Sequence, residues 1–481
     1  MRRTRLGYRE RNTDAIATSL VALAIAVATL PAAGCRRAST TATEGLNVML
    51  ISIDSLRRDH VGCYGYPLPT TPTMDRLAAE GVLFRNAVST TSWTLAAHAA
   101  LLTGVHDSRH GATIPTAVLD DSIPTLAEAF RAAGYRTAGF YSGPFLHPHF
   151  GLARGFEEYV DCTSYGLEDS ADPASPRIHG SSHKDITNPR IADSVERALA
   201  LADGRPFFFF VHMWDVHYDL VPPPPYDRMF TGATALPEVE ADYRHDPTFK
   251  TGMDEHAYRH VIALYDGEIR STDDTIAKII EPLRRRALLE NTLLVVTSDH
   301  GDEFLEHGGK GHRNTLFEEV LAVPLIFWAP ARLHPGVANT DASLVDVAPT
   351  IASIAGLGEL PDADGRSLFD EHGSMIADQR IAISELRVSV KRPKLISAQR
   401  YPNKVVRDLA SGTDSYYDLA TDPKELAPRE ASTDPRAKAL LDAIDRRYES
   451  AGKIRAKPSD ERLPRLAPAM ERRLKSLGYL N

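Results

Sequence analysis

Three nearly unbroken apolar runs each end abruptly in acidic side chains, two of them with histidines beside the acids, which restricts the fold more than any other feature of this chain. Val48-Met49-Leu50-Ile51-Ser52-Ile53 runs into Asp54-Ser55, and Phe207-Phe208-Phe209-Phe210-Val211-His212 leads to Asp215-Val216-His217. The third, Leu293-Leu294-Val295-Val296-Thr297-Ser298, ends in Asp299-His300-Gly301-Asp302. Short continuous apolar runs are what strands buried on both faces require, and such strands belong to parallel sheets. The predicted strands are Asn47–Ile53, Arg136–Tyr141, Pro206–His212, Thr292–Ser298 and Val323–Trp328. Amphipathic segments between them predict helices over Thr73–Glu80 (Thr71 as cap, Pro72 in the first turn), Ile123–Ala133, His256–Arg285 and Leu344–Ala355. The fold class is therefore α/β, a sheet covered by helices.

In open α/β sheets, ligands sit beyond the carboxyl ends of the strands, which is where these polar tips fall. One carboxylate at a strand end can simply cap the next helix. Two such ends with an adjacent Asp-His pair point instead to a divalent metal. Gly308-Gly309-Lys310-Gly311-His312 is a glycine-rich loop that can bring His312 to the same edge.

Ser92-Trp93-Thr94-Leu95-Ala96-Ala97-His98, continuing to Thr103-Gly104, reads as a helix with a hydroxyl start, an Ala/Leu body and a glycine stop. Thr94 at such an N-terminus is either an N-cap or a nucleophile set where free N–H groups favour an anion. His98, four residues on, returns to the same face one turn deeper.

The remaining segments bound the setting. Arg2, Arg3, Arg5, Arg9 and Arg11 precede an apolar stretch from Ala15 to Ala33 that ends in Ala33-Gly34-Cys35. This pattern predicts an export signal over residues 1–35, with Cys35 as the lipidated residue of a bacterial lipoprotein; the alternative is an uncleaved membrane anchor. Either way the body is expected outside the cytoplasm, in the cell envelope, tethered to the membrane at one end. Residues 36–45 form a polar tether, 46–378 the main domain, 379–430 a small C-terminal β subdomain with strands near Ile381–Val390 and Lys394–Ala398, and 431–481 a charged helical tail. A net charge of −9 argues against nucleic acid as a partner. Three cysteines exclude a disulfide scaffold, although Cys63 and Cys162 can pair in an oxidising compartment.

Ile51-Ser52-Ile53-Asp54-Ser55-Leu56-Arg57 with Gly62-Cys63-Tyr64-Gly65-Tyr66 resembles the opening of the sulfatase family, within the alkaline phosphatase superfamily. Thr70-Thr71-Pro72, Leu101-Leu102-Thr103-Gly104, Thr297-Ser298-Asp299-His300-Gly301, Asp346-Val347-Ala348-Pro349-Thr350 and Asp364-Gly365-Arg366-Ser367-Leu368 continue the resemblance in order, as far as Asp422-Pro423. It implies a three-layer α/β/α sandwich with a small C-terminal α+β subdomain. It also implies one divalent ion held by Asp54, Asp299 and His300 beside Thr94, with zinc or manganese better suited than calcium because His300 stands where calcium-using sulfatases carry asparagine. A second ion is possible. His217 resembles the family histidine that protonates the leaving oxygen. His312 would bind a substrate oxygen or a second ion, Lys310 is a further candidate substrate-binding residue, and His98, where sulfatases carry an arginine, can bind an anion if protonated. The alternative for His217, with Asp215 beside it, is to hold a second ion.

The departures from the pattern direct the chemistry. Sulfatases oxidise Cys or Ser to formylglycine, and Thr94 is not known to undergo that conversion. Ser55 replaces a second metal-binding aspartate. Threonine can instead form and release a phosphoryl ester, so the expectation is a hydrolase or transferase of phospho- or phosphonoesters. Sulfuric ester hydrolysis and a non-catalytic anion- or glycan-binding protein on the same scaffold are the alternatives. The substrate is an anionic ester, whether of a lipid, a glycan or a small molecule.

Overall fold

A computed structural model describes residues 45–163, 185–201, 203–231, 243–389, 392–454 and 471. The predicted export segment and most of the tail beyond residue 454 lie outside them. Among the described residues, no helix is long and apolar enough to cross a membrane.

The core is an eight-stranded sheet. Its strands are β1 (Asn47–Ile53), β2 (Val82–Val88), β3 (Arg136–Tyr141), β4 (Glu158–Asp161), β5 (Phe207–Met213) and β6 (Thr292–Ser298), with β9 (Leu325–Trp328) and β10 (Gly336–Ser343). Two-residue strands β7 (Glu303–Phe304) and β8 (Lys310–Gly311) pair separately as a small ribbon. The sheet order is β10-β2-β9-β6-β1-β5-β3-β4. Every pairing is parallel except those of β9, which runs antiparallel to both β2 and β6. The Val323–Trp328 run was predicted as one more parallel strand and proves shorter and reversed. A strand buried on both faces gives the same continuous apolar run in either direction, so the sequence pattern carries no sign of the reversal.

Side chains alternate between two apolar layers. Val48 and Leu50 enter the core on one face, while Met49, Ile51 and Ile53 enter the other. Phe208 and Phe210 join the first face, and Phe207, Phe209 and Val211 the second. Helix Thr94–Thr103 lies in the first layer and all ten of its residues are buried, as expected for a helix apolar on every side. Burying Leu95, Leu101 and Leu102 contributes roughly 1.5–3 kcal/mol each, which fixes the helix firmly against the sheet. Gly104 ends it at φ 72°, and a Cβ there would meet Pro349 Cδ at 3.1 Å.

Other elements depart from expectation in instructive ways. Thr71 precedes helix Pro72–Glu80, but its hydroxyl bonds Asp75 and the Gly62 N–H instead of capping the helix. The Ile123–Ala133 prediction narrows to Leu126–Ala132, because the Thr125–Glu128 capping box sets its start. Leu344–Ala355 divides into a 3₁₀ turn over Leu344–Asp346 and a helix over Val347–Ile354. Strands β2, β4 and β10 and helix Asn188–Ala200 were not anticipated; the first three carry polar residues that break an apolar run. Cys63 and Cys162 are both free thiols.

The C-terminal antiparallel sheet comprises β11 (Ala382–Ser389), β12 (Arg392–Arg400), β13 (Asn403–Asp408), β14 (Thr413–Asp418) and β15 (Arg429–Glu430). Ile383, Ile396, Val405 and Tyr416 pack there against Leu440 and Ile444 of helix Lys438–Ile454. Ser384 Oγ and Glu385 N donate to the carbonyls of Ser89 and Thr90, fastening this subdomain beside the segment that leads into Thr94.

Candidate active site

Strand register builds the centre. Ile53 lies opposite Ser298 on one side and Met213 on the other, so the next residues, Asp54 and Asp299, emerge side by side at the carboxyl edge. Both carboxylates fall on the face covered by helix Thr94–Thr103. The N-cap of that helix is Trp93, which makes no side-chain cap bond. Thr94 is thus the first helical residue, and its hydroxyl is not spent on capping. Its Oγ1 lies 3.2 Å from His300 Nε2, which is 3.4 Å from Asp299 Oδ2 and 3.9 Å from Asp54 Oδ1.

Ser55, at φ 57°, donates its backbone N–H to Asp299 Oδ1 and its hydroxyl to Asp54 Oδ1. Burial raises both carboxyls to about 7; His300 partly offsets this at Asp54, and the neighbouring Asp54 reinforces it at Asp299. Among the described residues, the ionisable groups ion-paired with these carboxylates are all histidines. Asp299 Oδ2 is buried without a hydrogen bond. Two dry carboxylates lacking a Lys or Arg partner, with an imidazole nitrogen aimed between them, fit a divalent cation. Asp54, Asp299 and His300 are the residues that would hold it, with ligand atoms within 4.8 Å of one another.

Three histidines follow one pattern. The Nδ1 of His300 bonds the Gly301 carbonyl, that of His217 the Tyr218 carbonyl, and that of His312 Asp302 Oδ1 at 2.7 Å. Such bonds fix the tautomer and the orientation of each ring. The His312 ring lies 4.4 Å from His300 and 5.4 Å from His217, centroid to centroid, so the three converge. Asp302 also accepts the Tyr243 hydroxyl at 2.6 Å. Burial lifts its carboxyl to about 6, while His300 and the Tyr243 bond pull the other way.

His98 differs. Its Nδ1 bonds the Thr94 carbonyl at 2.8 Å and its Nε2 lies 2.9 Å from Ser52 Oγ, so both nitrogens are committed. Burial holds its pKa down to about 3, against the pull of Asp299, which makes it a neutral tie between the first helical turn and β1. Lys310 Nζ donates to the Tyr243 and Asp246 carbonyls and anchors that segment. Asp215 accepts from the Thr187 N–H and hydroxyl and the Asn188 N–H at the start of helix Asn188–Ala200, and among the described residues no group with ligand spacing includes it. Besides Asp54, Asp299 and His300, three further groups have ligand spacing among the described residues: His98 with His212 and Asp299, His300 with Asp302 and His312, and Glu303 with His307 and Glu319.

Sequence reasoning gave no role to Arg313 or His212. The Arg313 N–H bonds the Ser92 carbonyl, and its guanidinium stands 4.4 Å from the Trp93 ring, which sets a cation beside the turn that carries Thr94. His212 was visible as the one titratable residue in an aromatic strand. Tyr243 had no local signal at all.

A mostly parallel sheet whose carboxyl edge gathers acids and histidines around a helix-borne hydroxyl defines an ester hydrolase of the alkaline phosphatase superfamily. The family model for sulfatases matches residues 46–357, and the chain belongs to the sulfatase family. It is 28% identical over 398 residues to the multifunctional alkaline phosphatase superfamily protein PehA of Trinickia caryophylli, spanning 67% of this chain and 76% of that one. It is 28% identical over 344 residues to human arylsulfatase A, spanning 64% of each. The fold is similar to that of a protein solved with its substrate D-glucosamine-2-N,6-O-disulfate, at TM-score 0.69 and 20% identity, covering 87% of this chain and all 100% of the other. The phosphonate monoester hydrolase of Agrobacterium radiobacter superposes at TM-score 0.66 with 22% identity, over 85% of this chain and 95% of its own.

Proposed function

We propose that this hydrolase acts on phospho- or phosphonoesters, with Thr94 as the attacking nucleophile. The observation that carries the reading is a threonine hydroxyl, free of any capping role, 3.2 Å from His300 Nε2 and beside two buried carboxylates. A secondary alcohol cannot supply the hydrated aldehyde on which sulfatase turnover depends, whereas a phosphothreonine can be cleared by water. The kinship with a multifunctional alkaline phosphatase superfamily protein supports chemistry beyond sulfate.

A divalent ion bound by Asp54, Asp299 and His300 would lower the hydroxyl's pKa and neutralise charge on the transferring group, and zinc or manganese suits this donor set better than calcium. Thr94 Oγ1 releases its proton to solvent and forms the new P–O bond as the bond to the leaving oxygen breaks, and it takes a proton back from solvent when water later displaces it from phosphorus. His217, its Nδ1 held by the Tyr218 carbonyl, gives its other proton to that oxygen. Water attacks the phosphothreonine and the same histidine recovers a proton. His312, oriented by Asp302, and Arg313 contact the non-bridging oxygens. We further propose that the N-terminal segment exports and tethers the protein.

The test is a panel of nitrophenyl esters of phosphate, phosphodiester, phosphonate and sulfate, assayed on metal-reconstituted protein. Phosphorus esters should lead by at least an order of magnitude. Thr94-dependent sulfate ester hydrolysis that matches or exceeds them would overturn the preference.

A further inference from the structure

We propose that His212 is a further protein ligand of the divalent ion, so that two carboxylates and two imidazoles hold it beside Thr94; this rests on the metal-dependent reading above. Strand pairing sets His212 opposite Ser52, two residues before Asp54, on the sheet face that carries both carboxylates. His212 is fully buried, and its Nε2 lies 3.4 Å from Asp54 Oδ2. Among the described residues that nitrogen makes no hydrogen bond, and neither does Asp299 Oδ2. Ligand atoms of His212, Asp299 and His98 lie within 4.8 Å of one another, and of these three His98 has both nitrogens committed elsewhere.

A core histidine ordinarily earns its burial by hydrogen bonding. His98, in the same layer and 4.8 Å away ring to ring, does so through both nitrogens. Neither nitrogen of His212 makes a hydrogen bond among the described residues, so its Nε2 is available to turn a lone pair toward a cation held between the two acids. The chemistry also accounts for Ser55. Its hydroxyl donates to Asp54 and supplies no negative charge where the family pattern has a second aspartate. A neutral nitrogen from the adjacent strand completes the donor set, leaving two negative charges to balance one divalent ion. Two nitrogen donors move the preference from calcium towards zinc.

X-ray absorption of the zinc-loaded full-length protein counts imidazoles directly from their outer-shell scattering. Two are expected in the wild type, two in His98→Leu and His312→Gln, and one in His212→Gln. Competition with a chromophoric chelator should show zinc held more than about 100-fold more weakly by His212→Gln, beyond the roughly 10–100-fold that outer partners cost. A wild-type count of one overturns the inference, and so does a count of two that falls in His98→Leu or His312→Gln; these controls decide even if His212→Gln does not fold. If zinc is held with one imidazole and lost in Asp299→Asn, only the His212 assignment fails. If the wild type holds no zinc, manganese or calcium after loading and dialysis, the metal-dependent reading fails with it.

Discussion

Replacing Thr94 by valine keeps the β-branched shape and removes only Oγ1, which makes it the sharpest perturbation of the proposed nucleophile. The side chain is 5% exposed within a fully buried helix, so valine fills the same space and folding should be little changed. Turnover of phosphorus esters should fall by about 10⁴ or more, as it does when a covalent nucleophile is removed. Serine gives a calibrated intermediate. It retains the hydroxyl at the first helical position but loses the methyl that narrows the choice of χ1. If the productive rotamer drops from nearly full occupancy to about a third, the loss is ~0.6 kcal/mol, or threefold. The vacated methyl space adds up to ~0.8 kcal/mol of looser packing, so a three- to tenfold decrease is expected overall. Initial rates on a nitrophenyl phosphonate, with mass spectrometry of acid-quenched peptides spanning Trp93–Thr103, read both the rate and the covalent intermediate. Retention of more than about a tenth of the turnover by Thr94→Val, or an adduct on another residue, would refute the reasoning.

His98→Leu should lower stability by about 2–4 kcal/mol in urea unfolding, because the buried Ser52 hydroxyl and Thr94 carbonyl both lose a partner. The pH profile of its residual activity should keep the wild-type shape, since a neutral imidazole contributes no ionisation there; a displaced limb would show His98 acting as a charge. His307 should make stability pH-dependent: burial alone would depress its pKa, but the Glu319 carboxylate bonded to Nδ1 lifts it to about 8. The folded value lies above the unfolded one, so this contribution is full below about pH 6.5 and lost as pH rises through 8, at most about 2 kcal/mol and less with solvent screening. The difference in unfolding free energy between wild type and His307→Asn should shrink across that window, and a constant difference would count against the pair. Lys404 is fully buried, with Nζ 2.9 Å from Glu425 and 3.2 Å from Glu318. Lys404→Met strands the buried Glu425 and leaves Glu318 with Arg58, and should cost about 3–5 kcal/mol in thermal or urea unfolding, restored in part by adding Glu425→Gln; a loss under 1 kcal/mol would show that Glu425 is held by other groups.

The sequence pattern determined the α/β class, the limits of β1, β3 and β6 and the placing of Asp54, Asp299 and His300 at strand ends, while Thr94 joined them only through the family resemblance. It could do so because these depend on local pattern: a buried strand reads as an apolar run, and the residue that ends it must lie at the sheet edge. Several properties were settled only by the tertiary structure. The direction of β9 depends on the path of the chain between strands, which no periodicity records. Whether a histidine works or merely ties two elements together depends on which groups face its nitrogens. His98 meets Ser52 across 46 positions, and His312 meets Asp302, itself held by Tyr243 from 59 positions away. Asp215 looked like a site carboxylate until the start of helix Asn188–Ala200 proved to occupy both its oxygens. Residue identity supplies the chemistry a side chain can perform; long-range packing decides whether its lone pairs and protons remain available to perform it.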